Sequence, residues 1–185
     1  MGYLCPISTE NKMTDRSREK KELIANLVDK FMDVLDGPLS LDKAILLATL
    51  AHYGKLDKGD NTYIRHPLRV MEEMPCEGDM ICAVMHDTIE DTELTLDNLL
   101  LLGFTVDQVK IIDCLSRRDS ETYEEFILRT KKSKIATNIK IADLHDNSLL
   151  WRLKNRHLTQ SDLERTQKYI VALDTLGGLD KKYKR

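Results

Sequence analysis

Apolar residues recur along most of this chain at steps of three and four, and strict alternation of apolar and polar positions is scarce. That spacing predicts helices, in which side chains three and four apart share a face. From about Ser17 to Asp36, Leu23, Ile24, Leu27, Phe31 and Leu35 fall on or near one stripe, and Gly37-Pro38 ends the helix. A second helix is predicted from about Ser40, which can cap it, to Tyr53, with Leu41, Ala44, Ile45, Ala48 and Ala51 repeating in step. Gly54–Thr62 is polar and reads as a loop. Pro67 suits the first turn of the next helix, where its missing N–H costs little. It also biases His66 toward extended backbone, from which the ring can reach another helix. Further helices are predicted over about Gly78–Glu90, Leu96–Leu101, Val106–Leu115, Thr122–Thr130, Ile135–Leu153 and Ser161–Leu176. The expectation is an all-α protein, one helical bundle over residues 17–180, with residues 1–16 as a mobile N-terminal segment.

Composition narrows the class. A chain of 185 residues holds one domain with a genuine core. Apolar residues at 42% and charged residues at 32% are in the balance of a soluble globular protein. No apolar run approaches the roughly eighteen residues that a membrane span requires, so no membrane association is expected. The N-terminus has no apolar signal core, so secretion is not expected. Met1-Gly2 is followed by Pro6 where myristoylation would want Ser or Thr. A formal charge of −3 argues against a general nucleic-acid binder while leaving room for a local basic pocket. The four cysteines (Cys5, Cys76, Cys82, Cys114) form no C-x-x-C pair; Cys82 and Cys114 sit in apolar stretches as core fillers. A reducing, cytoplasmic setting is expected.

Three clusters carry chemistry. In Met85-His86-Asp87-Thr88-Ile89-Glu90-Asp91, helical spacing puts His86 one turn from Glu90 and Asp87 one turn from Asp91. Four ionisable groups directly after an apolar run are costly in an interior unless something pairs them. A divalent cation is the simplest partner, since imidazole nitrogen and carboxylate oxygen both suit it. The alternative is an acidic helix end facing water, with His86 merely packed. In Ile139-Lys140-Ile141-Ala142-Asp143, an aspartate stands within an apolar helical face, with Asn147 one turn on. On the same helix His145 should point away from Asp143, and Asp146 should be solvated. The third cluster is Tyr63-Ile64-Arg65-His66-Pro67, weak evidence alone.

Taken in order, His66-Pro67, His86-Asp87, Glu90-Asp91 and Asp143 with Asn147 resemble the hydrolase domain of the RelA/SpoT family. The likeness extends over roughly residues 40 to 175 and is greatest to the family's stand-alone small alarmone hydrolases, metazoan SpoT homologues included. The wider HD superfamily shares only the His, His-Asp, Asp skeleton. The resemblance implies one metal ion, usually Mn²⁺, on His66, His86, Asp87 and Asp143, with positions left for water and phosphate. Glu90 and Asp91 resemble the pair that activates or orients the attacking water, and Asn147 a substrate contact. Lys58 resembles the family's basic residue at the nucleotide pocket. The family commonly has Arg-Lys there, whereas this chain has Asp57-Lys58, which removes a flat, bidentate cation suited to a base or phosphate. Arg117 and Arg118 are candidate phosphate contacts or a solvated helix end, and His52 is expected as a packed histidine rather than a ligand.

The implied reaction is hydrolysis of the 3′-diphosphate of a (p)ppGpp-like nucleotide, releasing pyrophosphate. The rivals are an HD phosphohydrolase acting on a 5′-nucleotide, a dNTP, ppApp or NADPH, and a non-catalytic module that binds nucleotide or a partner, for example as an antitoxin.

Overall fold

The computed structural model describes residues 9–154 and 157–179. The chain divides into two compact units, one ending at Pro38 and the other beginning at Leu39. The first consists of helix α1 (Thr9–Asp36), which starts well before the predicted Ser17. Residues 1–8 of the expected N-terminal segment, Cys5 among them, lie outside the described residues. Within α1, Leu23, Ile24, Leu27, Val28 and Met32 are exposed.

The second unit comprises α2 (Leu41–Ala51), α3 (Arg65–Glu72), α4 (Glu77–Val84), α5 (Thr88–Asp91), α6 (Leu96–Leu101), α7 (Val106–Leu115), α8 (Tyr123–Thr130), α9 (Lys134–Asn147), a 3₁₀ turn (Leu150–Leu153) and α10 (Gln160–Leu176). The fold is all-α: among the described residues the one β feature is an isolated antiparallel bridge between Leu56 and Thr62. Ser40 and Ser133 cap α2 and α9 through their hydroxyls. Thr95, Thr105, Thr122 and Thr159 build reciprocal capping boxes at α6, α7, α8 and α10. Each cap satisfies amide groups that the helix cannot pair internally.

Helix α9 is the hub, packing against α3, α4, α7, α8 and α10. Its Ile139 and Leu144 are buried, Leu144 in a cluster with Phe126, Ile127, Ala172, Leu173 and Leu176 of α8 and α10. Each such side chain contributes about 1.5–3 kcal/mol on burial. Cys82 is 1% exposed on α4, and burial pushes its thiol up to about 12, which makes it an inert core filler.

The structure departs from the periodicity in three places, all beside the candidate site. The segment predicted as one helix from Gly78 to Glu90 breaks at Met85–Asp87. There, Thr88 Oγ1 donates to the Met85 carbonyl (2.7 Å) and His86 Nδ1 to that of Ala83 (2.8 Å), so side chains compete with the helical ladder. The segment predicted from Ile135 to Leu153 ends at Asn147 and resumes as the 3₁₀ turn. The Arg152 guanidinium folds back onto the Asp146 carbonyl (3.1 Å) and caps α9. His66, expected in extended backbone, lies in the first turn of α3 with Pro67. The steric preference against helix before proline is overridden in this first turn, where the proline removes no hydrogen bond and the His66 amide pairs with the Tyr63 carbonyl at 2.9 Å.

Candidate active site

His66 reaches the site from the start of α3, His86 and Asp87 from the α4–α5 break, and Asp143 from the middle of α9. The break lets His86 and Asp87, adjacent in sequence, turn to the same point: His86 Nε2 lies 3.0 Å from Asp87 Oδ2. His66 Nε2 lies 3.1 Å from Asp143 Oδ1 and 3.5 Å from Asp87 Oδ2. The two rings meet edge to face with centroids 5.2 Å apart.

The hydrogen bonds decide what these atoms want. His66 Nδ1 is committed to Asp146 Oδ2 at 2.6 Å and His86 Nδ1 to the Ala83 carbonyl at 2.8 Å. With Nδ1 donating in each ring, both Nε2 atoms present lone pairs, and both are buried without a hydrogen-bond partner. Lone pairs of two imidazoles thus converge with carboxylate oxygens, an arrangement that is repulsive unless a cation stands among them. Ligand atoms of His66, His86 and Asp143 lie within 4.8 Å of one another, close enough for one ion. The donor set fits a divalent metal, with Asp87 as the fourth candidate ligand. Burial opposes charge on all four groups, yet the neighbouring aspartates draw positive charge to both rings and hold them above their ordinary range, His86 at about 9. The Nε2 positions therefore take either a proton or a metal ion. The histidines hold Asp87, and Lys140 with the histidines holds Asp143, well below the ordinary carboxylate range.

Around the ligands the structure adds residues that periodicity did not mark. Asp146, expected in solvent, is buried: besides His66 it accepts from Arg69 Nε (2.5 Å) and Arg152 Nη1 (2.7 Å). It fixes the tautomer and tilt of His66. Tyr63 Oη lies 2.6 Å from Asp87 Oδ2 and 2.8 Å from Asp91 Oδ2, so its one proton serves either carboxylate. Burial and Asp87 raise the phenol above its usual range, keeping it a donor. His52 is buried against Tyr63 with ring centroids 4.6 Å apart, the packed role expected of it. His145 is exposed and its Nε2 meets the Gly178 carbonyl at 3.0 Å, away from the site.

A cavity of about 590 Å³ opens from the ligands. Glu90 and Asp91 line it beside Asp87. Partial burial raises the Glu90 carboxyl, opposed by a hydrogen bond from the Arg117 amide and by Lys140. Lys58, Arg117, Arg165 and Lys168 give the cavity a cationic wall. Burial and the neighbouring Arg165 and Lys168 depress Lys58, and burial and Arg117 depress Lys168. Positive groups crowd one another there, as they would where an anion is received. Arg165 and Lys168 come from α10, far in sequence from every cluster that marked the site. Asn147 lines the cavity and donates to Asp143 Oδ1. Arg118 stays outside it, its Nη2 2.9 Å from Asp113 Oδ2 on α7. Asp57 faces inward: Oδ1 accepts from the Gly59 and Asn61 amides (2.8 and 2.9 Å) and Oδ2 from Arg152 Nη2 (3.1 Å).

No family model matches the chain. It is 28% identical over 150 residues to a GTP pyrophosphokinase of Streptomyces antibioticus, a match that covers 74% of this chain and 18% of that protein. A probable GTP pyrophosphokinase of Mycobacterium leprae is 30% identical over 119 residues, 57% of this chain and 15% of its own length. The chain thus spans under a fifth of the curated relatives it matches. Among solved structures, a metazoan ortholog of SpoT that hydrolyzes ppGpp and plays a role in starvation responses superposes with a TM-score of 0.62. That match covers 76% of this chain and 87% of the other at 20% identity. The chain is thus similar, at low identity, to enzymes of the RelA/SpoT type. The structural likeness is one of fold, all-helical as the sequence pattern predicts. No described helix is long and apolar enough to cross a membrane.

Proposed function

We propose that this chain is a metal-dependent hydrolase that removes the 3′-diphosphate of a (p)ppGpp-like nucleotide as pyrophosphate. The observation that carries the reading is the convergence of two imidazole Nε2 atoms without hydrogen-bond partners with Asp143 and Asp87 beside a cavity that several cationic side chains also line. The curated relatives are named for synthesis, but they match over less than a fifth of their length. The acidic, histidine-bearing site instead suits hydrolysis, and the SpoT ortholog that shares the fold hydrolyzes ppGpp.

His66, His86, Asp87 and Asp143 would hold the ion, with Mn²⁺ as the expected metal. When bound, it would polarise the phosphoryl oxygen and acidify a water at neutral pH. Glu90, with its raised carboxyl, takes a proton from the attacking water. Asp91, fixed through Tyr63, orients that water. The water oxygen bonds to the phosphorus carried on the 3′-oxygen, that P–O bond breaks, and Glu90 returns the proton to the leaving 3′-oxygen. Lys58, Arg165 and Lys168 neutralise the remaining phosphates, and Asn147 holds the ribose or an adjoining phosphate oxygen. Since Asp57 is engaged with Arg152, it offers the base no free carboxylate and no cation. An adenine counterpart such as ppApp is therefore a second candidate.

The test is pyrophosphate against phosphate release from ppGpp, ppApp, NADPH, dNTPs and dNMPs. The reading expects pyrophosphate from ppGpp or ppApp. Turnover of ordinary nucleotides alone would remove the alarmone substrate, and no turnover would point to a binding module.

A further inference from the structure

The site holds one cation that neither the ligand set nor the cationic wall explains. Lys140 stands on α9 one turn before Asp143, and its Nζ lies 2.8 Å from Asp143 Oδ2. The Nζ also sits 5.0 Å from the centroid of the buried Phe126 ring. The residue is 9% exposed, yet it lines the cavity together with Asp143, Asp87 and Glu90. Its ammonium is therefore held on two sides, by a carboxylate and an aromatic face, within a residue that lines the cavity beside the candidate ligands.

A charge count makes this position informative. Two carboxylates and two neutral imidazoles already balance a divalent ion. A lysine ammonium in contact with one of those carboxylates adds a positive charge that repels the ion and loses hydration on burial. Such a group is expensive as a mere brace for Asp143, which is also approached by both histidines and by Asn147. Glu90 and Asp91 line the same cavity and offset part of that charge, and an anion entering beside the ligands meets the ammonium there as its counter-charge. Only one of the three ammonium donors is directed at Asp143, which leaves others for that anion.

The geometry points to Lys140 as a catalytic residue that donates a hydrogen bond to the phosphoryl group under attack, separate from the wall that receives the remaining phosphates. It acts as a fixed positive charge as the oxygens gain charge in the transition state, and no proton is transferred. The inference rests on the hydrolase reading, although its binding limb does not.

The experiment compares the full chain with Lys140→Met and Lys140→Gln, the second keeping a polar head should the first fail to fold. Three quantities are measured: Mn²⁺ affinity of the metal-stripped protein, affinity of the Mn²⁺-loaded protein for inorganic pyrophosphate, and kcat and KM on ppGpp. The expected result is Mn²⁺ affinity unchanged or tighter, pyrophosphate bound at least about tenfold more weakly, and kcat lower by about 10²–10³. Unchanged pyrophosphate affinity with unchanged kcat would overturn the proposal. So would a variant that loses Mn²⁺ affinity but regains full kcat at excess Mn²⁺, because Lys140 would then serve Asp143 alone. If the wild-type protein leaves ppGpp intact, the alarmone reading fails, and the difference in pyrophosphate affinity still decides the role of Lys140.

Discussion

His66 can present Nε2 to a metal only while its other nitrogen is held, and Asp146 holds it at 2.6 Å. The same carboxylate neutralises Arg69 and Arg152, so its loss strands two cations as well as a ring. Asp146→Ala should weaken Mn²⁺ binding about 10–100-fold. It should also cost about 3–5 kcal/mol of stability. Calorimetric titration and denaturant melts read the two effects separately. Glu90 makes the opposite prediction, because in the proposed reaction it meets the water and not the ion. Glu90→Gln should lower kcat by about 10²–10⁴ while Mn²⁺ affinity stays within threefold of wild type. Because burial raises the Glu90 carboxyl, the basic form is lost on acidification earlier than in an ordinary glutamate. The acid limb of kcat/KM should therefore lie above about 4.3 and vanish in Glu90→Gln. A residue that moved metal affinity and kcat together would be a ligand, not a base.

At the scale of the elements, the caps and apolar periods were legible: Ser40, Thr122 and the runs over α6 and α7 start and stop their helices where the pattern predicts. The breaks were not, because they are made by side-chain hydrogen bonds, which apolar periodicity does not register. Nothing local at Asn147 announces that Arg152 will fold back to cap α9, and nothing at His86 announces its bond to Ala83. Asp146 read as solvated for the same reason, since its partners lie on α3 and in the 3₁₀ turn. Arg165 and Lys168 were missed because cations on an amphipathic helix normally face water. The loop before α3 depends on a close approach: a Cβ on Gly59 would stand 2.0 Å from the Arg152 carbonyl oxygen. Gly59→Ala should push the loop off the 3₁₀ turn, costing about 1–3 kcal/mol in denaturant melts and raising KM. A variant with wild-type melts and KM would show that the loop is not seated this way. Farther from the site, Glu121 ties α7 to α8 through Arg129, whose other donors reach Asp113 and Ser116. The Arg129 hydrogen bond lowers Glu121 to about 2 in the folded protein, below the ordinary glutamate value of about 4.3. Its stabilisation is thus whole above about pH 4.3 and is lost as pH falls toward 2. The stability gap between wild type and Glu121→Gln should close over that window.

Over the whole molecule, one helix organises the chemistry. Helix α9 carries Asp143, Lys140 and Asn147, packs on the helices that bring His66 and His86, and supports α10, whose Arg165 and Lys168 line the same cavity. The His, His-Asp, Asp order and the Glu90-Asp91 pair stand in the sequence because each is a local motif. The cationic wall and the support for His66 are assembled only by the fold. A metal bound by residues from α3, the α4–α5 break and α9 also clamps those elements. An ion at a hundred times its Kd should raise folding stability by about 2.7 kcal/mol, a gain that EDTA removes. The most direct test of the account is pyrophosphate release from ppGpp by the metal-stripped chain as Mn²⁺ is titrated back, beside Asp143→Ala. The account predicts no release without metal, activity that saturates with Mn²⁺ in the wild type, and none in the variant. Release that persists in EDTA, or that survives Asp143→Ala, would contradict it.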